Sequence, residues 1–277
     1  MNKQIGFIGC GNMGIAMIGG MINKNIVSPN QIICSDLNVS NLKNASDKYG
    51  IITITTNNNE VANSADILIL SIKPDLYTSV INQIKNQIKN QIKNDVIVVT
   101  IAAGKSIKST ENEFDRKLKV IRVMPNTPVL VGEGMSALSF NEMVTEKDIK
   151  EVLNIFNSFG QTEVVNEKLM DVVTSISGSS PAYVYMFIEA MADAAVLDGM
   201  PRKQAYKFAA QAVLGSAKMV LETGIHPGEL KDMVCSPGGT TIEAVATLEE
   251  KGLRTAIISA MKRCTKKSME MSRLTSK

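Results

Sequence analysis

Ile5 to Gly14 read IGFIGCGNMG, and the reading of this stretch decides the architecture. A short apolar run precedes Gly9-x-Gly11-x-x-Gly14, and a helical pattern, NMGIAMIGGMI, follows directly. A second apolar run, QIIC, begins at Gln31. Spaced glycines alone mean little, because glycine is common. Strand before, helix after and strand again is the context that makes them a dinucleotide-binding turn. Gly9 permits the tight turn, Gly11 lets the backbone approach a pyrophosphate, and Gly14 lets the helix pack closely. The helix N-terminus favours the negative charge.

Working outward, the β-branched runs DILILSI, VIVVTIA and KVIRVM alternate with helical patterns through the first 165 residues. Runs apolar on both faces suit strands of a parallel sheet covered on both sides. The expected class is α/β: a Rossmann-type doubly wound parallel sheet over residues 1–165, then an all-helical C-terminal domain over residues 166–277 that dimerises. Helix punctuation marks the second half. Ser180 and Pro181 open one helix and Gly199 follows it; Pro201 lies inside the start of the next and Gly224 after its end. Thr240 and Glu243 have capping-box spacing, and Gly252 closes that helix. The helix after Pro181 is apolar nearly all round. A small helical domain cannot cover such a helix alone, so a second copy of the chain is expected to do so. In the first half, NQIKNQIKNQIKN (Asn82 to Asn94) puts Ile84, Ile88 and Ile92 on one narrow stripe. It reads as an exposed amphipathic helix made by local duplication, in preference to an interaction repeat.

The 277 residues are 44% hydrophobic and carry a net charge of +3 with acids and bases interspersed, which makes no case for nucleic acid. The basic end, KRCTKKSMEMSRLTSK, reads as a solvated helix face. Cys10, Cys34, Cys235 and Cys264 are scattered without a CxxC pair, and no apolar leader opens the chain; both point to the cytoplasm. The most apolar stretch, Ala182 to Leu197, carries Glu189 and Asp193 and falls short of the about 20 residues that span a bilayer, so no membrane partner is expected.

Asp36 ends the second strand, where an acid bonds the ribose hydroxyls of NAD and repels the 2′-phosphate of NADP. Against that, Ser35 and Asn38 beside it suit phosphate oxygens, and no Arg occurs before Arg116 to act as the usual clamp. Asp36 also reads as a cap of the next helix. The residues leave the coenzyme open.

Together with SIKP (Ser71 to Pro74), TIAAG, MPNTP, SGSSPAY and KDMVCSPGGTTIEA, the glycine loop closely resembles the pyrroline-5-carboxylate reductases, essentially end to end. The resemblance implies NAD(P)H-dependent reduction of the cyclic imine 1-pyrroline-5-carboxylate to L-proline, with NADPH the usual coenzyme and NADH the alternative. It implies that Ile8, Gly9, Cys10, Gly11, Asn12 and Met13 hold the pyrophosphate and that Asn58 reaches the adenosine side. Ser71, Ile72, Lys73 and Pro74, with Ile101, Ala102 and Ala103, would line the nicotinamide-ribose path. Substrate would lie between the domains against Glu167, Thr240 and Thr241, in at least a homodimer, with larger rings of dimers, as the family often forms, the alternative. One position departs: where some members touch ligand through an Asn shortly before Pro-Gly-Gly, this chain has Met233, which puts that contact in doubt.

Hydride transfer to a C=N bond needs little acid–base machinery, and the chain has one His, His226, with no Ser-His-Asp spacing and no clustered metal ligands. Gly238 and Gly239 let the backbone turn with its N–H groups exposed just before a helix, an anion site suited to a substrate carboxylate. Thr241 is the expected catalytic residue, orienting the ring nitrogen and relaying a proton, since a Thr hydroxyl is a poor acid. The alternative is that the two threonines merely cap. Ser177, Ser179 and Ser180 line a substrate pocket or cap a helix, and Glu167 faces ligand or favours a helix dipole. His226 suits a turn, Lys73 a strand end or the coenzyme, and Asn126 stays open. Two rival readings are a β-hydroxyacid dehydrogenase and a non-catalytic NAD(P)-binding regulator. The first needs a Lys on the interdomain helix, and none lies between Lys168 and Lys203. The second has no need of Gly-Gly-Thr-Thr.

Overall fold

The structure, a computed structural model, describes residues 2–51, 53–90 and 95–274. The first part runs β1 (Ile5–Ile8), α1 (Asn12–Asn23), β2 (Ile32–Ser35), α2 (Val39–Tyr49), β3 (Thr53–Thr55), α3 (Asn58–Ser64) and β4 (Ile67–Leu70). It continues through α4 (Tyr77–Asn90), β5 (Ile97–Thr100), α5 (Ile107–Glu113), β6 (Lys119–Met124), β7 (Gly134–Phe140), α6 (Glu146–Phe156) and β8 (Gly160–Val164). The strands form a sheet in the order β3-β2-β1-β4-β5-β6-β7-β8. Chain order reverses between β1 and β4, so the loops leaving them diverge and open a crevice at the carboxyl ends.

β1, β2, β4 and β5 are buried throughout, as their apolar runs require. Ile5, Phe7, Ile67 and Ile97 face one layer with Met17, Ile18 and Met21 of α1. Ile8, Leu68, Leu70 and Val98 face the other with Val61, Tyr77, Ile81 and Ile84. Each such isoleucine contributes roughly 1.5–3 kcal/mol by leaving water. Ile84 thus turns the repeat's apolar stripe inward while Asn82 and Gln83 are exposed. Ile92 and the Ile88 side chain lie outside the described residues.

The sheet is not wholly parallel: β7 runs antiparallel to β6. The reason is the MPNTP turn, a short 3-10 segment (Thr127–Val131) ending on left-handed Gly132, which reverses the chain where a crossover helix would have kept its direction. β3, β7 and β8 had no strong apolar signature. β3 and most of β8 are partly exposed, and β7 hides Ser136 and Ser139 among its apolar residues.

After β8 come a 3-10 turn (Glu167–Leu169), α7 (Met170–Val173) and a π turn (Thr174–Gly178), closed by the Ser179 N–H donating to the Thr174 carbonyl at 2.8 Å. Then follow α8 (Ser180–Leu197), α9 (Arg202–Thr223), α10 (Pro227–Val234), α11 (Thr240–Glu250) and α12 (Leu253–Leu274). The chain forms two compact units, Met1–Ser179 with Cys264–Lys277, and Ser180–Arg263. Thr265 and Ser268 of α12 bond Ser175 and Asp171, so this face of the basic end packs within the first unit, while Lys262, Arg263, Lys266, Lys267 and Glu270 are exposed.

In the second unit α8 buries only Ala192, while Met186 is 70% exposed and Phe208 of α9 is 67% exposed. Apolar surface of this kind on successive helices marks an association face. The expected Thr240–Glu243 capping box is not formed. Gly239 occupies the N-cap and Thr240 the first helical position, so no side chain caps α11. Pro201 likewise sits at the N-cap of α9, one position outside its expected place. Among the described residues no helix is long and apolar enough to cross a membrane.

Candidate active site

The loop from β1 to α1 is built around two glycines. Gly9 has φ +99°, and a Cβ there would lie 2.4 Å from the Ser71 carbonyl oxygen. A Cβ on Gly14 would lie 2.5 Å from the Gly9 carbonyl. Both positions therefore exclude any side chain, and Ser71 Oγ donates to that same Gly9 carbonyl at 2.7 Å. Gly11, the N-cap of α1, is different: a Cβ there meets nothing within 4 Å, and no side chain caps the helix. The loop's outer face is open and its helical N–H groups are uncapped, which fits a diphosphate.

Asp36 is at work inside the protein. Its Oδ2 accepts from the Cys10 N–H at 2.8 Å and from Asn41 Nδ2 at 3.2 Å, and its Oδ1 accepts from the Asn38 N–H at 2.7 Å. The capping of α2 falls to Asn38, whose side chain accepts from the Ser40 N–H. Ser35 is fully buried and donates to Asn58 Oδ1 at 2.7 Å. Asn58 is buried too, its Nδ2 donating to Gln83 Oε1 at 2.9 Å. The Ser35–Asn58–Gln83 hydrogen bonds tie β2, α3 and α4 together. Ile8 and Cys10 are also buried, which leaves their backbone as what they offer, while Asn12 is exposed and Met13 half-buried.

At the carboxyl ends of β4 and β5, Ile72, Pro74, Ile101 and Ala103 are half-buried, Ala102 is buried and Lys73 is exposed. Beneath them lies a polar cluster that the sequence reading missed. Tyr77 is fully buried, and its hydroxyl bonds the Leu70 carbonyl at 2.9 Å and Thr100 Oγ1 at 2.8 Å. Burial pushes the phenol above its ordinary value, beyond the hydrogen bonds' contrary effect. Lys105, also buried, pairs with Glu113 at 2.7 Å and lies 5.4 Å from the Tyr77 ring centre. The neighbouring Cys34 thiol and burial push the Cys10 thiol pKa upward.

Of the residues expected on the substrate side, Glu167 accepts at Oε1 from the Ile107 N–H (2.8 Å) and from Arg122 Nη1 (3.2 Å). Ser177 Oγ donates to the Val173 carbonyl at 3.2 Å, and Ser179 Oγ accepts from Cys264 Sγ at 3.3 Å. Asn126 donates to the Ser177 carbonyl and accepts from the Met135 N–H, a brace with both ends used. Arg122 was also missed, although a single guanidinium inside the apolar run KVIRVM was the available signal.

In the second unit, Gly238 has φ +65° and Gly239 follows in extended backbone, so the turn needs glycine at Gly238. Thr240 is exposed and Thr241 half-buried. His226 Nδ1 accepts from the Gly228 N–H at 3.1 Å and caps α10, as a turn residue would.

Comparison with known proteins agrees with this arrangement. Residues 167–271 match the family model described as pyrroline-5-carboxylate reductase dimerisation, and residues 4–104 match one described as NADP oxidoreductase, coenzyme F420-dependent. The chain is 53% identical over 273 residues to the pyrroline-5-carboxylate reductase of Escherichia coli, covering 99% of this chain and 100% of that one. It is 45% identical to that of Methanosarcina acetivorans, covering 98% of each. A crystal structure of Plasmodium falciparum pyrroline carboxylate reductase with NADP bound superposes with a TM-score of 0.87 at 34% identity, covering 98% of both chains.

Proposed function

The chain belongs to the pyrroline-5-carboxylate reductase family, and from that premise we propose that it reduces 1-pyrroline-5-carboxylate to L-proline with NADPH. The observation that carries the reading is the Gly238-Gly239-Thr240-Thr241 turn. It opens α11 on an uncapped N-terminus, with Thr hydroxyls beside it that no capping bond occupies. The N–H groups of that first turn take the substrate carboxylate. The Thr241 hydroxyl bonds the ring nitrogen, holding the C=N carbon in place and passing a proton toward nitrogen through water.

NADPH, when bound, supplies the hydride. The backbone of Ile8 to Met13 holds its diphosphate, and the loops Ser71–Pro74 and Ile101–Ala103 line the nicotinamide end. Asp36, with three hydrogen bonds already accepted, braces the loop and gives no argument for NADH. The exposed apolar faces of α8 and α9 support a homodimer, and larger rings of dimers follow the family's habit in the cytoplasm.

The test is direct. Purified protein given the imine should oxidise NADPH and form proline, read as loss of reduced-nicotinamide absorbance with amino-acid analysis of the product. Silence with both NADPH and NADH would refute the assignment.

A further inference from the structure

We propose that Glu167 is a positioning residue for the coenzyme-side loop, acting through Ile107 and Arg122 and not as a contact to substrate. The proposal rests on the reading that residues 101–103 line the nicotinamide end.

The argument starts from Arg122. It sits in β6 between Ile121 and Val123 and is 7% exposed. A guanidinium so placed is strongly destabilising unless paired. Among the described residues Glu167 is its ion-pair partner, at 3.2 Å. The same oxygen accepts from the Ile107 N–H at 2.8 Å. Ile107 is the first residue of α5, where a backbone N–H has no partner within the helix. One carboxylate oxygen therefore neutralises a buried cation and satisfies an orphan donor.

What this fixes is the segment just upstream. Ile101 to Ser106 leaves β5 and passes Gly104, whose φ is +79°. Lys105 then anchors the segment below through Glu113, and Ile107 anchors it at the side through Glu167. The Met271 and Ser272 backbone of α12 lies 3.6 Å from where a Gly104 Cβ would be, so the loop is closed in there as well. A loop held at Gly104, Lys105 and Ile107 presents Ile101–Ala103 in one conformation. Without Glu167, one of these restraints goes and Arg122 is left buried without its partner. Glu167 also starts the segment that runs through α7 to Ser177 and Ser179, so it joins the coenzyme-side loop to the beginning of the expected substrate-side stretch.

Equilibrium binding of NADPH without substrate, followed by nucleotide fluorescence, separates this role from substrate contact. In Glu167→Ala the NADPH Kd should rise about tenfold, within the roughly 2- to 30-fold range by which residues acting through a packed network shift affinity. The imine KM at saturating NADPH should stay within about twofold. Glu167→Gln keeps the acceptor for the Ile107 N–H and should recover most of the binding. An unchanged NADPH Kd, or a rise confined to the imine KM, would overturn the proposal. Should Glu167→Ala fail to fold, Ile107→Pro against Ile107→Ala carries the test. Proline suits a first helical position, and Ser106 already has the extended backbone it requires (φ −82°, ψ 161°). Both substitutions remove the Ile107 side chain but only Pro removes the N–H, so Pro should bind NADPH about threefold more weakly than Ala. Equal Kd values would sink the strut. Wild type that binds NADPH yet leaves the imine untouched would sink the catalytic reading while the binding comparison still decides this one.

Discussion

Replacing Asp36 tests whether the acid after β2 selects the coenzyme or shapes the loop that holds it. Asp36→Ala removes the acceptor of three hydrogen bonds, from the Cys10 N–H, the Asn38 N–H and Asn41 Nδ2. These are not equal in consequence. Cys10 is fully buried, so its N–H finds no water and costs about 1–3 kcal/mol when orphaned. Asn38 and Asn41 reach solvent and lose a few tenths of a kcal/mol each, the difference between one hydrogen-bond partner and another. The sum is about 2 kcal/mol, which for a chain of this size lowers Tm by roughly 4–8 °C. Cys10 lies between Gly9 and Gly11, so the same change loosens the diphosphate loop and weakens NADPH and NADH together. Isothermal titration with both coenzymes should give Kd values that rise by a common factor, with their ratio moving less than about threefold. Asp36→Asn keeps one acceptor oxygen and should fall between. A ratio that swings tenfold toward NADPH at unchanged Tm would refute the brace and restore Asp36 as a ribose selector.

Thr241→Ala should lower kcat about tenfold or more while leaving the NADPH Kd unaltered, measured by steady-state kinetics beside a binding titration; equal kcat would remove the hydroxyl from the chemistry. Met186→Glu with Phe208→Glu places carboxylates on the exposed apolar faces of α8 and α9, and light scattering should then show monomers; an intact oligomer would mean that another face associates. Asp148 is driven upward by burial, but its hydrogen bonds with Lys119 and Thr145 outweigh that and hold its pKa below the ordinary 3.8. A depressed carboxylate stabilises above its unfolded pKa, and that stability is lost as pH falls through the lower folded value. Asp148→Asn should therefore be less stable at neutral pH and show a shallower loss of Tm below about pH 4, followed by calorimetry; an unchanged acid limb would place the dependence elsewhere.

β1, β2 and β4 were legible because burial on both faces leaves a mark: IGFI, IICS and ILIL have no polar residue that could face water except at their ends. β7 and β8 were not, since Ser136 and Ser139 interrupt the apolar pattern and β8 lies at the sheet's edge. The glycine loop and the threonine turn were legible as backbone chemistry, where residue type dictates conformation. Side-chain partners were not. Nothing local distinguishes a Ser35 that faces phosphate from one that donates to Asn58, or a Glu167 that meets substrate from one that pairs with Arg122. Those partners lie 23 and 45 positions away along the chain, and the fold alone decides their meeting.

The groups around the coenzyme loop share a property that bears on mechanism. The Cys10 thiol is pushed upward by its neighbour Cys34 and by burial, and the Tyr77 phenol is pushed upward by burial. Neither group is poised to give up a proton. The proton that follows then depends on how the substrate nitrogen and its water are held, which is a matter of geometry. Geometry is what internal hydrogen bonds and ion pairs supply: Asp36 holds the Cys10 N–H, Lys105 and Glu167 anchor the loop after β5, and Asn126 braces the turn before β7. Hydride transfer, which tolerates little error in distance, is the reaction that rewards such bracing.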